Sequence, residues 1–380
     1  MKRVDARIKE IMAAHQVIGL SAAVVQGQDI CWRGSYGWAD YDRRIPVTHD
    51  TVFRAASISK TITATALMQL VEQGLCDLDR EVGEYVGYKL RNPGYPEHPV
   101  TLRQLMTHTS SLQDVYVDFV IASRSENPPM LDLRELLLPQ GRYYTEDLWG
   151  AYPPEDNGRF EYSNLGAIIL ATIIEKQSGQ RFDLYCQQHI FTPLGMKDTS
   201  FAIQDYQQMD RIAVLYEYDE EKKAFHASMD EYRGIKPASI DYSRYVPGTN
   251  GSIFGPQGGV RTHASDLSRF MLAHLHDGAW NGVRILQQGT CKQMHSVQWS
   301  GHSADRFFCK SGLNFHITED LVPNRLLIGH AGDAYGLLSG MYFDKEAKRG
   351  VIYLMNGLIQ RKGGAFFTAE EEICRTLYTK

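Results

Sequence analysis

The chain has 380 residues and a mass of 43.1 kDa, with 43% apolar and 22% charged residues, the balance of an ordinary globular protein. Its 40 Lys and Arg against 45 Asp and Glu leave a formal charge of −5, which excludes a nucleic-acid-coating protein built on a basic stripe. Its six cysteines contain no CxxC pair, which excludes a disulfide scaffold and a structural zinc site.

In chain order, residues 4–15 place Val4, Ile8, Ile11 and Met12 on one face of an amphipathic helix. Two strand patterns follow, 19–26 and 30–38, joined at Gly27-Gln28-Asp29. From Ser57 to Gln73 the pattern is helical, and apolar or small nearly all round, as in a buried helix. Between about 80 and 300 helices and long loops dominate. Thr101 with Gln104 three residues on reads as a capping box. Residues 164–179 read as a second buried helix and 264–278 as a third. Pro128-Pro129, Pro153-Pro154 and the charged tract 217–223 read as surface loops. Strand patterns return at 307–317, 325–330, 337–343 and 350–356, and residues 368–378 close the chain as a helix. The expected fold is α/β (α+β): an antiparallel sheet assembled from both chain ends and flanked by helices, with a large helical insertion. The expected division is 1–80 and 301–380 for the two parts of the α/β domain, and 81–300 for the insertion. The longest apolar run, 166–174, is shorter than the ~18 residues of a membrane helix. Charges at Asp5, Arg7, Lys9 and Glu10 interrupt any signal-peptide core, so a cytoplasmic location is expected.

Dinucleotide, Walker A, His-Glu-x-x-His and Gly-x-Ser-x-Gly patterns are all missing from the sequence. His274 and His276, two apart on a helix, face different sides and read as ordinary histidines. What stands out is Ser57-Ile58-Ser59-Lys60 at the start of a buried helix. Residues three apart share a helix face, about 5–6 Å apart at Cβ. Lysine is almost never buried unless used or paired, and desolvation lets it act as a neutral base toward a hydroxyl. Tyr162-Ser163-Asn164 opens the second buried helix, where a phenol can relay protons and an amide can bond a lysine and a substrate carbonyl. Gly329-His330-Ala331-Gly332 ends a strand pattern, and an edge strand there leaves backbone N–H groups free for a substrate.

Ser-x-x-Lys, Tyr-x-Asn and a basic residue-x-Gly, in this order, resemble the serine β-lactamase and penicillin-binding-protein superfamily. The branch most similar is the class C β-lactamase-related one, with its esterases, D-aminopeptidases and D-Ala-D-Ala carboxypeptidases. Val100-Thr-Leu-Arg-Gln-Leu-Met-Thr-His-Thr-Ser-Ser-Leu112, Leu194-Gly195-Met196 and Gly258-Gly259-Val260 followed by Ala264-Ser265-Asp266-Leu267 extend the resemblance over nearly the whole chain. The resemblance implies Ser57 as acylated nucleophile and Lys60 as holder or acceptor of its proton. It implies Tyr162 as general base or relay, and Asn164 as the group that orients Lys60 and substrate. His330 would face the substrate, Gly332 would let the substrate approach, and the backbone N–H groups of Ser57 and Asp333 would form an oxyanion hole. His330 departs from the lysine of true β-lactamases. With an unperturbed pKa of about 6.5 it is mostly neutral at pH 7, which tilts the expectation toward neutral esters or amides.

The expected activity is therefore a serine hydrolase, esterase favoured. The alternative within enzymes is a D-amino-acid-specific peptidase or a weak class C β-lactamase. A non-catalytic ligand-binding homologue is disfavoured because Ser57, Lys60 and Tyr162 are all present. The expected partner is a small-molecule ester, amide or β-lactam, with no metal or organic cofactor, no nucleic acid and no membrane span. Loops 115–139 and 232–247 are expected to shape the pocket; for Tyr116, Phe119, Tyr242 and Tyr245 ordinary loop packing is the favoured reading, with a place in the pocket wall as the alternative.

Overall fold

A computed structural model of the chain describes residues 2–304 and 307–379. The sheet is antiparallel and draws on both ends of the chain. The N-terminal end supplies β1 (Gly19–Gln26), β2 (Asp29–Asp40) and β3 (Ile45–Pro46). The C-terminal end supplies β4 (Trp299–Ser300), β5 (Lys310–Ser311), β6 (His316–Thr318), β7 (Leu327–Ala334), β8 (Leu337–Asp344) and β9 (Arg349–Met355). In space the order is β4-β5-β6-β7-β8-β9-β1-β2-β3, so the two ends meet where β1 pairs with β9, Leu20 opposite Met355 through Gln26 opposite Arg349.

That central position explains why β1 is buried on both faces from Gly19 to Val25. Leu20, Ala22 and Val24 face one buried cluster and Ala23 and Val25 the other, since successive strand side chains point to opposite faces. One face is covered by α1 (Lys2–Ala14) and the closing helix α5 (Thr368–Tyr378), through Ile8, Ile11, Ile373 and Leu377. The other face carries α4 (Ala264–Leu275), with Leu267, Phe270 and Met271 turned inward. In the same cluster lie α2 (Ser59–Glu72), whose residues Ser59 to Leu70 are all buried, and α3 (Asn164–Ser178). The Thr101 capping box is present, and Gly179, at φ +70°, closes α3. Among the described residues no helix is long and apolar enough to cross a membrane.

Several expectations are corrected. The strand expected over 307–317 is two short strands, because the chain breaks at Gly312, where a side chain would collide with the Met294 carbonyl, and at Asn314, at φ +56°. The charged tract 217–223 belongs to a hairpin, Leu215–Asp219 against Ala224–Met229. The loop expected at 115–139 contains the helix Val117–Ser125. Most consequentially, the strand expected to stop at His330 runs on to Ala334, so Gly332 and Asp333 are strand residues.

Candidate active site

The segment before α2 is held rigidly. Phe53-Arg54 pairs with Arg261-Thr262, the Ala55 amide donates to the Val260 carbonyl at 2.9 Å, and the Ser339 hydroxyl donates to the Ala55 carbonyl at 2.9 Å. Ala56 is then forced to φ +47°, a left-handed conformation that a residue with a Cβ rarely adopts. Ser57 follows in the 3-10 turn Ala56–Ile58 that leads into α2, so its hydroxyl sits at the mouth of the fold while Lys60, one turn on, is fully buried.

The Lys60 Nζ lies 3.3 Å from Ser57 Oγ and donates to Asn164 Oδ1 at 2.6 Å and to the Gln257 carbonyl at 2.9 Å. Its burial lowers its pKa to about 7, against a smaller opposing pull from the Asp114 charge. A neutral amine has two protons and one lone pair. The two carbonyl oxygens can only accept, so they take the two protons and leave the lone pair toward Ser57.

Tyr162 lies over the same amine, with Nζ 4.7 Å from its ring centroid. Its hydroxyl is buried close to Ser57 but forms no well-aligned hydrogen bond in the free protein. Burial pushes its pKa up, so it is a neutral phenol.

Asn164 is fixed by a residue the sequence reading missed. The Asp114 carboxylate accepts from Asn164 Nδ2 at 2.7 Å, from the Asn164 and Leu165 amides at 2.7 and 3.0 Å, and from the Ser163 hydroxyl at 3.2 Å. It thus occupies the N-terminus of α3, where amide groups lack helical partners. The opening tract also hides His108. Its Nδ1 accepts from the Ser163 amide at 3.1 Å and its ring lies 4.5 Å from that of Tyr162.

Replacing Asp114 with Asn should cut kcat/KM by about tenfold or more, the scale at which loss of an orienting partner is felt. It should also move the acid limb of the pH–rate profile downward, because Asp114 is the charge that raises the Lys60 pKa. A purely structural loss would lower the rate without moving that limb.

On the far side of Ser57, β7 offers an open edge. The hairpin turns at Tyr335-Gly336, both at positive φ, and closes on the pair Ala334 and Leu337. A two-residue turn makes that closing pair hydrogen-bonded and the next pair, Asp333 and Leu338, non-bonded. The Asp333 N–H therefore turns away from β8, toward the edge. Gly332 allows the close approach: a Cβ there would come within 2.7 Å of the Ala55 carbonyl and 2.9 Å of the Ala56 methyl. The Asp333 carboxylate is drawn aside, accepting from Gln360 Nε2 at 3.0 Å.

His330 is buried, and burial with the nearby Lys60 charge lowers its pKa to about 3. It lines a cavity of about 490 Å³ with Ser57, Tyr162, Phe160, Phe308 and Phe366. The proposed wall residues lie elsewhere. Phe119 packs on Tyr143, and Tyr242 and Tyr245 pack on Phe254, while Tyr116 is half-buried and outside that cavity. The structure thus brings Ser57, Lys60, Tyr162, Asn164, His330, Gly332 and the Asp333 amide around one site.

His274 is fully buried and meets Cys291 and His295, the one group among the described residues with the donor spacing of a metal site. The Thr65 hydroxyl donates to the Thr61 carbonyl at 2.8 Å and so accepts from His274 Nε2 at 3.0 Å. His274 Nδ1 then accepts from His295 Nε2 at 3.1 Å. Burial pushes the Cys291 thiol up to about 12. These groups close a hydrogen-bond chain among themselves and form a satisfied core cluster. His276 is half-buried and donates from Nε2 to the Gly27 carbonyl at 2.7 Å.

The beta-lactamase family model matches residues 4–366, and the chain belongs to that family. It is 30% identical over 267 residues to penicillin-binding protein 4* of Bacillus subtilis, covering 69% of this chain and 53% of that protein. It is 28% identical over 217 residues to the esterase EstB of Burkholderia gladioli, covering 56% and 54%. The chain thus spans about half the length of these two relatives. Among solved structures, the octameric penicillin-binding protein homologue of Pyrococcus abyssi superposes with a TM-score of 0.74 at 24% identity, over 98% of this chain and 75% of that one. A D-amino acid amidase of Ochrobactrum anthropi SV3 superposes at 0.72 and 22% identity, over 99% and 97%. These likenesses establish the β-lactamase/transpeptidase-like fold.

Proposed function

We propose that the chain is a serine hydrolase that cleaves ester or amide bonds through an acyl-enzyme on Ser57, with neutral esters favoured. The observation that carries this reading is the fully buried Lys60 amine, 3.3 Å from Ser57 Oγ, with its pKa lowered to about 7. Neutral Lys60 takes the Ser57 proton as Oγ attacks the substrate carbonyl carbon. The carbonyl electron pair moves to oxygen, which the Ser57 and Asp333 N–H groups receive. The ammonium formed on Lys60 keeps Asn164 Oδ1 and the Gln257 carbonyl as acceptors. When the tetrahedral intermediate collapses, the leaving group takes that proton through the Tyr162 hydroxyl. Water then attacks the acyl-enzyme by the same steps reversed. Tyr162 acts as a relay, because burial keeps it protonated.

The preference for neutral substrates rests on His330. Neutral imidazole stands where penicillin-recognising relatives carry a lysine, so position 330 itself offers no fixed cation to a substrate carboxylate. His330→Lys should raise the ratio of kcat/KM for a carboxylated β-lactam over a neutral p-nitrophenyl ester by about tenfold or more, the worth of one charge-assisted hydrogen bond. A second cation near Lys60 should also move the acid limb of the pH profile downward. An unchanged or lower ratio would remove the main reason for favouring esters. The activity itself is tested by profiling acyl esters, D-amino amides and β-lactams. Turnover of esters well above penicillins supports the reading, and penicillin acylation that outpaces ester cleavage overturns the preference.

A further inference from the structure

One residue that lines the cavity beside Ser57, His330, has an acceptor that no described protein group uses. His330 Nδ1 lies 2.5 Å from the Ala331 carbonyl oxygen. A carbonyl can only accept, so the ring proton sits on Nδ1 and Nε2 carries a lone pair. His330 is 2% exposed, and its Nε2 is buried without a partner. Buried polar atoms are nearly always satisfied, so an unsatisfied one on a residue that lines a cavity points to a ligand atom as its partner. With Nδ1 committed to the backbone, Nε2 is the polar atom that His330 has left to offer the cavity. The cavity lining is rich in aromatic side chains, with Glu161, Ser303, Asp333, Lys362 and Glu370 as its other polar members. Phe160 and Phe308 lie 4.9 Å apart between ring centroids, and Tyr162 stacks on Phe308 at 5.6 Å. Phe366 and Leu338 line the same space. Deep burial keeps His330 neutral at ordinary pH, so its polarity as an acceptor is constant.

We propose that this cavity binds an uncharged aromatic group bearing an O–H or N–H donor, which donates to His330 Nε2 while the scissile carbonyl lies at Ser57. The placement of that carbonyl rests on the hydrolase reading; the donor preference rests on His330 alone. A competing attraction is present, since Lys362 also lines the cavity and would favour a carboxylate.

The test is calorimetric titration of the intact protein with 2-naphthol, 2-methoxynaphthalene and 2-naphthoate, repeated with His330→Leu and His330→Gln. The expected result is that 2-naphthol binds about tenfold tighter than its methyl ether, the value of one net hydrogen bond to a buried acceptor. His330→Leu should erase the preference, and His330→Gln, which restores an acceptor oxygen, should keep it. Three ligands that bind alike, naphthoate binding tightest, or a preference that survives in His330→Leu would each overturn the proposal, and the first two need no variant to fold. Binding requires no turnover. A donor preference without acylation of Ser57 would therefore sink the hydrolase reading and leave this one standing, while acylation without a donor preference would do the reverse.

Discussion

Replacing Ser57 with Ala should lower the hydrolysis of every ester or amide substrate by about three orders of magnitude or more, as nucleophile removals do. The loss should fall on kcat and kcat/KM together, because the aromatic cavity, Asn164 and the open β7 edge that would bind the substrate remain in place. Folding should be little changed. Ser57 sits half-buried in a short turn, and its hydroxyl stands 3.3 Å from Lys60 Nζ; the core around α2 does not depend on it. A thermal melt that coincides with the parent protein would show that chemistry alone was lost. A variant that keeps more than about a tenth of the rate, a barrier change of only about 1.4 kcal/mol, would mean that another residue is the nucleophile.

Lys60 and Tyr162 should each matter nearly as much, and they should matter jointly. Lys60→Ala and Tyr162→Phe are each expected to cost about 10²–10⁴ in kcat/KM, the range of general acid–base catalysis. In the proposed path the amine takes the proton and the phenol passes it on, so once one is lost the other should have little left to do. The double variant should therefore be far less impaired than the product of the single losses. Losses that multiply fully would show two independent roles in place of one proton path. Tyr162→Phe keeps the ring that lies over the Lys60 amine, so its effect isolates the hydroxyl.

The parts of this site that are local in sequence were open to sequence reading. Ser57 and Lys60 share a helical face because they are three residues apart, and the burial of α2 follows from its apolar and small residues. That both chain ends contribute to one sheet was legible from the strand patterns at the two ends, but which strands pair across them was not. The parts that depend on distant segments or on backbone atoms were not. Asp114 meets Asn164 across 50 residues, and no local pattern marks it. The Gln257 carbonyl holds Lys60 through a main-chain oxygen, which carries no residue identity. The true end of β7 was hidden because glycine and aspartate at 332 and 333 weaken a strand pattern. In addition, tyrosine at φ +54° is a poor advertisement for a tight turn. For the aromatic loops the favoured reading agrees with the structure: Phe119, Tyr242 and Tyr245 have the composition of a pocket wall, but they pack against their own neighbours.

Whether a neutral Lys60 activates Ser57 is read from the rate of fluorophosphonate labelling as a function of pH, with the modified peptide located by mass spectrometry. A lysine whose pKa is lowered to about 7 is neutral above that value and protonated below it. Labelling should therefore level off above about pH 7 and fall about tenfold for each pH unit below, with the adduct on Ser57. In Lys60→Ala the same labelling should be slow and should lose that inflection. An adduct on another residue, or a rate that stays flat from pH 5 to 8 while Ser57 is labelled (a window spanning about two units below the inflection), would contradict the account.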